Sequence, residues 1–191
     1  MKNVIAKTMI PIGLILGALG LYLAIYQSSD VWYSFFLIGG FLFLEGLNAR
    51  NGFSVLGHIR QFIKIWIIFI VITIAVEIIG NVWLNLWQYP TFGVFDYIIH
   101  VLIIGYPLTA FFGLEFFVLI QRLFPSKISR ALALPISAFL FGYLNEYPNI
   151  FAYEWKYINW PFGEFLGIPI LVSILWILLL LVVPFKKSFE K

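Results

Sequence analysis

Long apolar runs, one after another and joined by short connections, constrain this chain more than any other feature. A helical run of about 20 residues spans a hydrocarbon layer of roughly 30 Å. Runs of that kind are read at about 8–27, 31–49, 62–84, 96–119, 131–147 and 165–183. With 62% hydrophobic and 11% charged residues, the chain cannot clothe a water-facing surface, for which soluble domains carry about 25% charge. The 191 residues leave no room for a second, soluble domain. The expectation is an all-α integral membrane protein in which residues 1–191 form a single bundle of six transmembrane helices.

The basic residues give that bundle an orientation. If helices alternate and both termini are cytoplasmic, Lys2, Lys7, Arg50, Arg60, Lys64, Arg122, Lys127, Arg130, Lys186, Lys187 and Lys191 all lie inside, and Lys156 alone lies outside. Five or seven spans would spoil this separation. A multi-pass protein of the cell membrane is therefore expected. Its net charge of +3 is explained by topology, so no nucleic-acid partner is implied. Residues 9–26 run directly into YQSSDVWY, which reads as a retained first span rather than a cleaved signal. Gly13, Gly17 and Gly20 on that span predict close approach of another helix. Pro107 predicts a kink in the fourth span, and Pro135 an interruption in a short fifth.

The stretch EIIGNVWLNLWQYP, Glu77 to Pro90, looks most like part of a site. An acid, amides and indoles gather where a span leaves the lipid. Topology puts Glu77, Asn81, His100, Asn145 and Glu146 at similar outer depths, where a carboxylic acid can exchange protons with a bound substrate, His100 can act as partner base and amides can orient the substrate. Trp83, Trp87, Tyr89, Tyr106, Trp155 and Tyr157 are the candidate substrate-binding aromatics. The connection PNIFAYEWKYINWPFGE between helices 5 and 6 supplies an aromatic-rich outer loop suited to a lid, although Trp and Tyr also anchor membrane proteins at headgroup level. A separate inner polar cluster is read from Glu45, Asn48, Glu115 and Arg50, with His58 nearby, as an ion-pair network or an ion path.

Other chemistry is narrowed by what the sequence lacks. Without cysteine there is no disulfide, thiolate ligand or cysteine nucleophile. His58 and His100 fall at opposite ends, so a two-histidine metal site is not expected. Mg2+ held by Glu77, Asp96 and Glu146 is the one metal arrangement the acids suit, without an aspartate-rich motif, and no cofactor is expected. The leading functional reading is an enzyme acting on a membrane lipid or an apolar, isoprenoid ligand by acid/base chemistry near the outer leaflet. A small transporter using the intramembrane acids and a non-catalytic subunit or assembly factor are the alternatives. The sequence does not fix an oligomeric state.

Overall fold

The computed structural model describes residues 2–124 and 127–190, with side chains over 7–124, 132–176 and 183–190. Lys191, and the side chains of Lys2, Lys127 and Arg130, lie outside the described residues. The chain is mostly helical: α1 (Lys2–Tyr22), α2 (Trp32–Ala49), α3 (Ile59–Glu77), α4 (Val94–Asp96), α5 (Tyr106–Leu123), α6 (Lys127–Ala152) and α7 (Ile170–Leu175). Wider π-helical turns extend α1 over Leu23–Gln27 and α3 over Ile78–Trp83, and join α4 to α5 over Tyr97–Gly105. Among the described residues three segments, Lys7–Gln27, Leu56–Trp83 and Val94–Leu123, are long and apolar enough to cross a membrane. Their outward faces carry large apolar side chains such as Ile15, Ile67 and Val71, each more than half exposed, which water would penalise and lipid would not.

Packing follows the small residues and the aromatics. The α1 glycines do bring a helix close: a Cβ on Gly20 would collide with the backbone of Phe36 on α2. The two helices pack along their length. Helix α5 is central, touching α2, α3, α6 and the C-terminal helix, and its fully buried Phe111 and Leu114 belong to the same core cluster as Leu37 and Trp32 of α2. Phe111 sits against Phe62, Trp66 and Phe41, so ring contacts fill the space between α2, α3 and α5.

The loops sort to two ends. At one, Ser28 Oγ donates to Phe151 O at 3.2 Å, and β1 (Trp87–Gln88) pairs antiparallel with β2 (Lys156–Tyr157). At the other, Phe53 bridges Glu190, Ser54 N donates to Phe189 O at 3.4 Å, and Lys186 Nζ donates to Gln121 Oε1 at 2.7 Å.

Helix boundaries depart from expectation at Pro135 and at the C-terminal run. Pro107 enters α5 in its first turn, and the missing N–H is absorbed where the wide π turn gives way to α-helix. Pro135 interrupts nothing: α6 runs 26 residues through Pro135 and Pro148. The Pro135 ring lies on an exposed face, clear of neighbouring helices. The last run starts at Ile170 rather than near 165, because residues 164–169 are taken by a hairpin of β3 (Glu164–Phe165) and β4 (Ile168–Pro169). It continues as a 3-10 helix over Trp176–Phe189, whose rise of about 2.0 Å per residue restores the reach lost to the hairpin.

Candidate functional site

Glu77 ends α3 buried, and five side chains donate to its two oxygens. Asn81 Nδ2, one turn on, reaches Oε2 at 3.2 Å, and Trp87 Nε1 reaches both oxygens at 3.2 Å. The phenols of Tyr89, Tyr97 and Tyr106 complete the set at 3.0, 2.9 and 2.6 Å. Trp87 comes this close because Gly80, three residues after Glu77, offers a bare backbone on which the indole lies; any Cβ there would overlap the ring. Burial, then Tyr106 and Glu77, push the Tyr89 phenol well above its ordinary range, which keeps it a donor.

A second carboxylate is held the same way. Glu146 on α6 accepts from Trp155 Nε1 at 3.0 Å, Tyr157 OH at 2.6 Å and Trp176 Nε1 at 3.1 Å. Trp176 rests on Gly142, one turn before Glu146, as Trp87 rests on Gly80. Burial and the adjacent Glu146 push the Tyr157 phenol well up. The two sets are joined across the lid: Trp87 stands opposite Tyr157 in the β1–β2 pairing, Ile158 N donates to Leu86 O at 3.0 Å, and Trp160 Nε1 donates to the same oxygen at 2.7 Å. Asn149 fastens the start of this loop through both its amide atoms to Trp155.

Beneath the lid is a cavity of about 360 Å³ with mostly apolar walls. Phe69, Ile72 and Val76 of α3 form one side and Val172, Leu175 and Trp176 the other. Of the residues expected to gather at this depth, His100 and Glu146 line the cavity, as do Trp87, Tyr89, Tyr106, Trp155 and Tyr157. Glu77 and Asn81 stand behind the aromatic wall. Asn145 is turned elsewhere, accepting at 3.0 Å from Tyr33 OH, which also meets Thr109 Oγ1 at 3.0 Å. His100 Nδ1 pairs with Ser34 Oγ at 2.8 Å rather than with Glu77. Trp83 is 73% exposed on the outer surface and does not reach the cavity.

Glu154 was not among the expected site residues, yet it lines the cavity, is 2% exposed and leaves Oε2 without a partner. The backbone N–H of Tyr33, in the first turn of α2, lies near its carboxyl and favours the charged form. Burial pushes it well above the usual carboxylate range, and Asp30 pushes in the same direction. Its place in the aromatic lid loop was the only sequence signal, and that signal is shared with Lys156 and Asn159.

The inner polar cluster forms with one change of membership. Asn48 Nδ2 donates to Glu115 Oε2 and, at 2.9 Å, to Glu115 O, joining α2 to α5. Glu45 accepts from Ser54 Oγ and, at 2.8 Å, from Val55 N, which anchors the 50–58 loop. Arg122 Nη1, not Arg50, donates to Asn48 Oδ1 at 2.8 Å. Arg50 follows the last turn of α2 and is exposed. His58 Nδ1 meets Ser54 O at 2.9 Å.

Among the described residues no three His, Asp or Glu converge as metal ligands. Glu77 and Glu146 each accept from their own set of N–H and O–H donors. No family model, curated protein or solved structure matches the chain.

Proposed function

We propose that this chain is a multi-pass protein of the cell membrane, with six spans and cytoplasmic termini, and that it acts on a lipid or isoprenoid substrate by proton transfer near the outer leaflet. The up-and-down sorting of the loops supports the span count. Arg50, Arg60, Arg122, Lys186 and Lys187 gather toward the end that holds the chain terminus, which supports the orientation.

The enzymatic reading is carried by the cavity. It joins apolar walls of α3 and α7, suited to a hydrocarbon chain, to a polar end roofed by the lid, and substrate pockets commonly have this composition. Few contacts join α3 to α7 among the described residues, and we take the space between them as the route by which a chain enters from lipid. His100, with Nδ1 fixed by Ser34, and Glu154, with an unpartnered oxygen, are the cavity groups free to exchange a proton. Glu77 serves as a positioning group: with both oxygens filled, it holds Trp87, Tyr89 and Tyr106 in the wall. Transport is less well supported, because buried Phe111, Phe112 and Leu114 intervene on α5 between cavity-lining Ala110 and the inner Glu115.

Lipid extracts from cells lacking the chain, cells overproducing it and cells overproducing His100→Ala or Glu154→Gln test the reading. A lipid that changes with the parent and not with the variants, at equal folded yield, is the expected result. An unchanged lipid profile in all four would overturn it.

A further inference from the structure

The indole and hydroxyl donors around the cavity are committed to acceptors within the protein. Trp87, Tyr89 and Tyr106 give their N–H or O–H groups to Glu77, and Trp155, Tyr157 and Trp176 give theirs to Glu146. Trp160 donates to Leu86 O and Thr73 to Phe69 O. Tyr33 donates to Asn145, which leaves Thr109 to donate to Tyr33. These side chains therefore offer the cavity ring carbons and oxygen lone pairs. Among the described residues no Lys or Arg lines it, whereas Glu146 does, as does Glu154 with its unpartnered Oε2. His100, its Nδ1 taken by Ser34, is left to offer one ring nitrogen, and beside two carboxyl groups it gives the wall little hold on an anion. The wall suits a positive charge that needs no directional acceptor, because aromatic faces attract cations most strongly where water is excluded.

We propose that the cavity receives an organic ammonium head carried on an apolar chain, with the head among Trp87, Tyr106, Trp155 and Trp176, opposite the free oxygen of Glu154, and the chain between α3 and α7. The inference rests on the reading of this cavity as the substrate site and names the chemical class the site takes. The two anchoring carboxylates, Glu77 behind the aromatic wall and Glu146 within it, add to the attraction: each indole N–H or phenol O–H that they hold is polarised, which enriches the ring that faces the ligand. An ammonium seated there favours the ionised form of Glu154, which releases its proton to solvent on binding and becomes the counter-ion.

The test uses the full chain in maltoside micelles, free of choline lipids, with binding followed by calorimetry and by tryptophan fluorescence. Hexyltrimethylammonium is compared with its uncharged carbon isostere 2,2-dimethyloctane, with hexyl sulfate and with tetramethylammonium. Binding of hexyltrimethylammonium at least about tenfold tighter than each of the other three is expected, from a desolvated cation on aromatic faces joined to a buried chain. Glu154→Gln should narrow the gap between cation and isostere severalfold. Ile72→Trp, which fills the cavity from the α3 side, should abolish binding of every probe and separates cavity binding from micelle partitioning. Equal binding of cation and isostere, lost in Ile72→Trp, overturns the charge preference and leaves the cavity as an apolar substrate site. Equal binding of tetramethylammonium and hexyltrimethylammonium overturns the chain-bearing ligand. Failure of all probes to bind, or binding unaffected by Ile72→Trp, overturns both this inference and the substrate-site reading beneath it.

Discussion

Trp87 and Tyr157 face one another across the two-residue pairing of the lid loops, and their polar ends turn to different carboxylates, Trp87 to Glu77 on α3 and Tyr157 to Glu146 on α6. One short backbone ladder therefore ties together two buried anchors on separate helices. The lid is held by side chains reaching down more than by the ladder, which is too short to be stable alone.

The glycine seats should be as important as the acids. Gly80→Ala puts a methyl group into the Trp87 ring, and Gly142→Ala puts one into Trp176. Each indole must lift, losing its hydrogen bond and its packing, at a cost of about 1–3 kcal/mol. Thermal unfolding in detergent should show a lower midpoint for both, with a red-shifted tryptophan emission. Parent-like spectra and midpoints would mean that the rings are not seated as described.

Glu77→Gln should weaken the lid before it touches any chemistry. The amide keeps the shape, but its NH2 meets donors where the carboxylate met them as an acceptor, leaving buried N–H or O–H groups unpaired at about 1–3 kcal/mol. Tyr97→Phe removes one of the five donors and should cost less. Limited proteolysis between 84 and 93 is the direct measure, with faster cleavage in Glu77→Gln than in Tyr97→Phe. The reverse order would assign Glu77 a role other than anchoring.

Much of this was legible in the residues, and what was missed has identifiable causes. The α1 glycine face and the aromatic lid follow from spacing and composition, and Glu77 with Asn81 from one-turn geometry. Tyr97 and Tyr106 reach Glu77 across π-helical turns that a regular 3.6-residue period does not describe. Asn145 and Glu146 share an outer depth, yet adjacent helical residues point about 100° apart, and they serve different partners. Arg50 is near Asn48 in sequence, whereas the contact is made by Arg122 from another helix, 74 residues away.

That last exchange gives a direct comparison at the inner end. Asn48 is fully buried and bonds to Glu115 twice and to Arg122 once, so Asn48→Ala should cost about 1–3 kcal/mol by stranding those groups. Arg122→Ala, at an exposed position, should cost about 1 kcal/mol or less. Arg50→Ala should leave the unfolding midpoint unchanged. A loss in Arg50→Ala equal to that in Arg122→Ala would contradict the exchange.

Glu154 makes docking of the lid depend on pH, and the sign follows from its burial. Its folded-state pKa lies well above the ordinary 4.5, so between those two values the docked lid holds a proton that the released loop gives up. Its contribution is full below the ordinary value and is lost as pH rises toward the raised one. The groups facing it are Asp30 on the preceding turn, Tyr33 on α2 and, through Tyr33, Glu146 on α6. Raising pH should therefore increase cleavage within 153–163 in the parent. Glu154→Gln keeps an acceptor for the Tyr33 N–H and cannot ionise, so its cleavage should rise less steeply over the same range. Equal slopes in parent and variant would place the titrating group elsewhere, and a parent lid that tightens as pH rises would reverse the assigned sign.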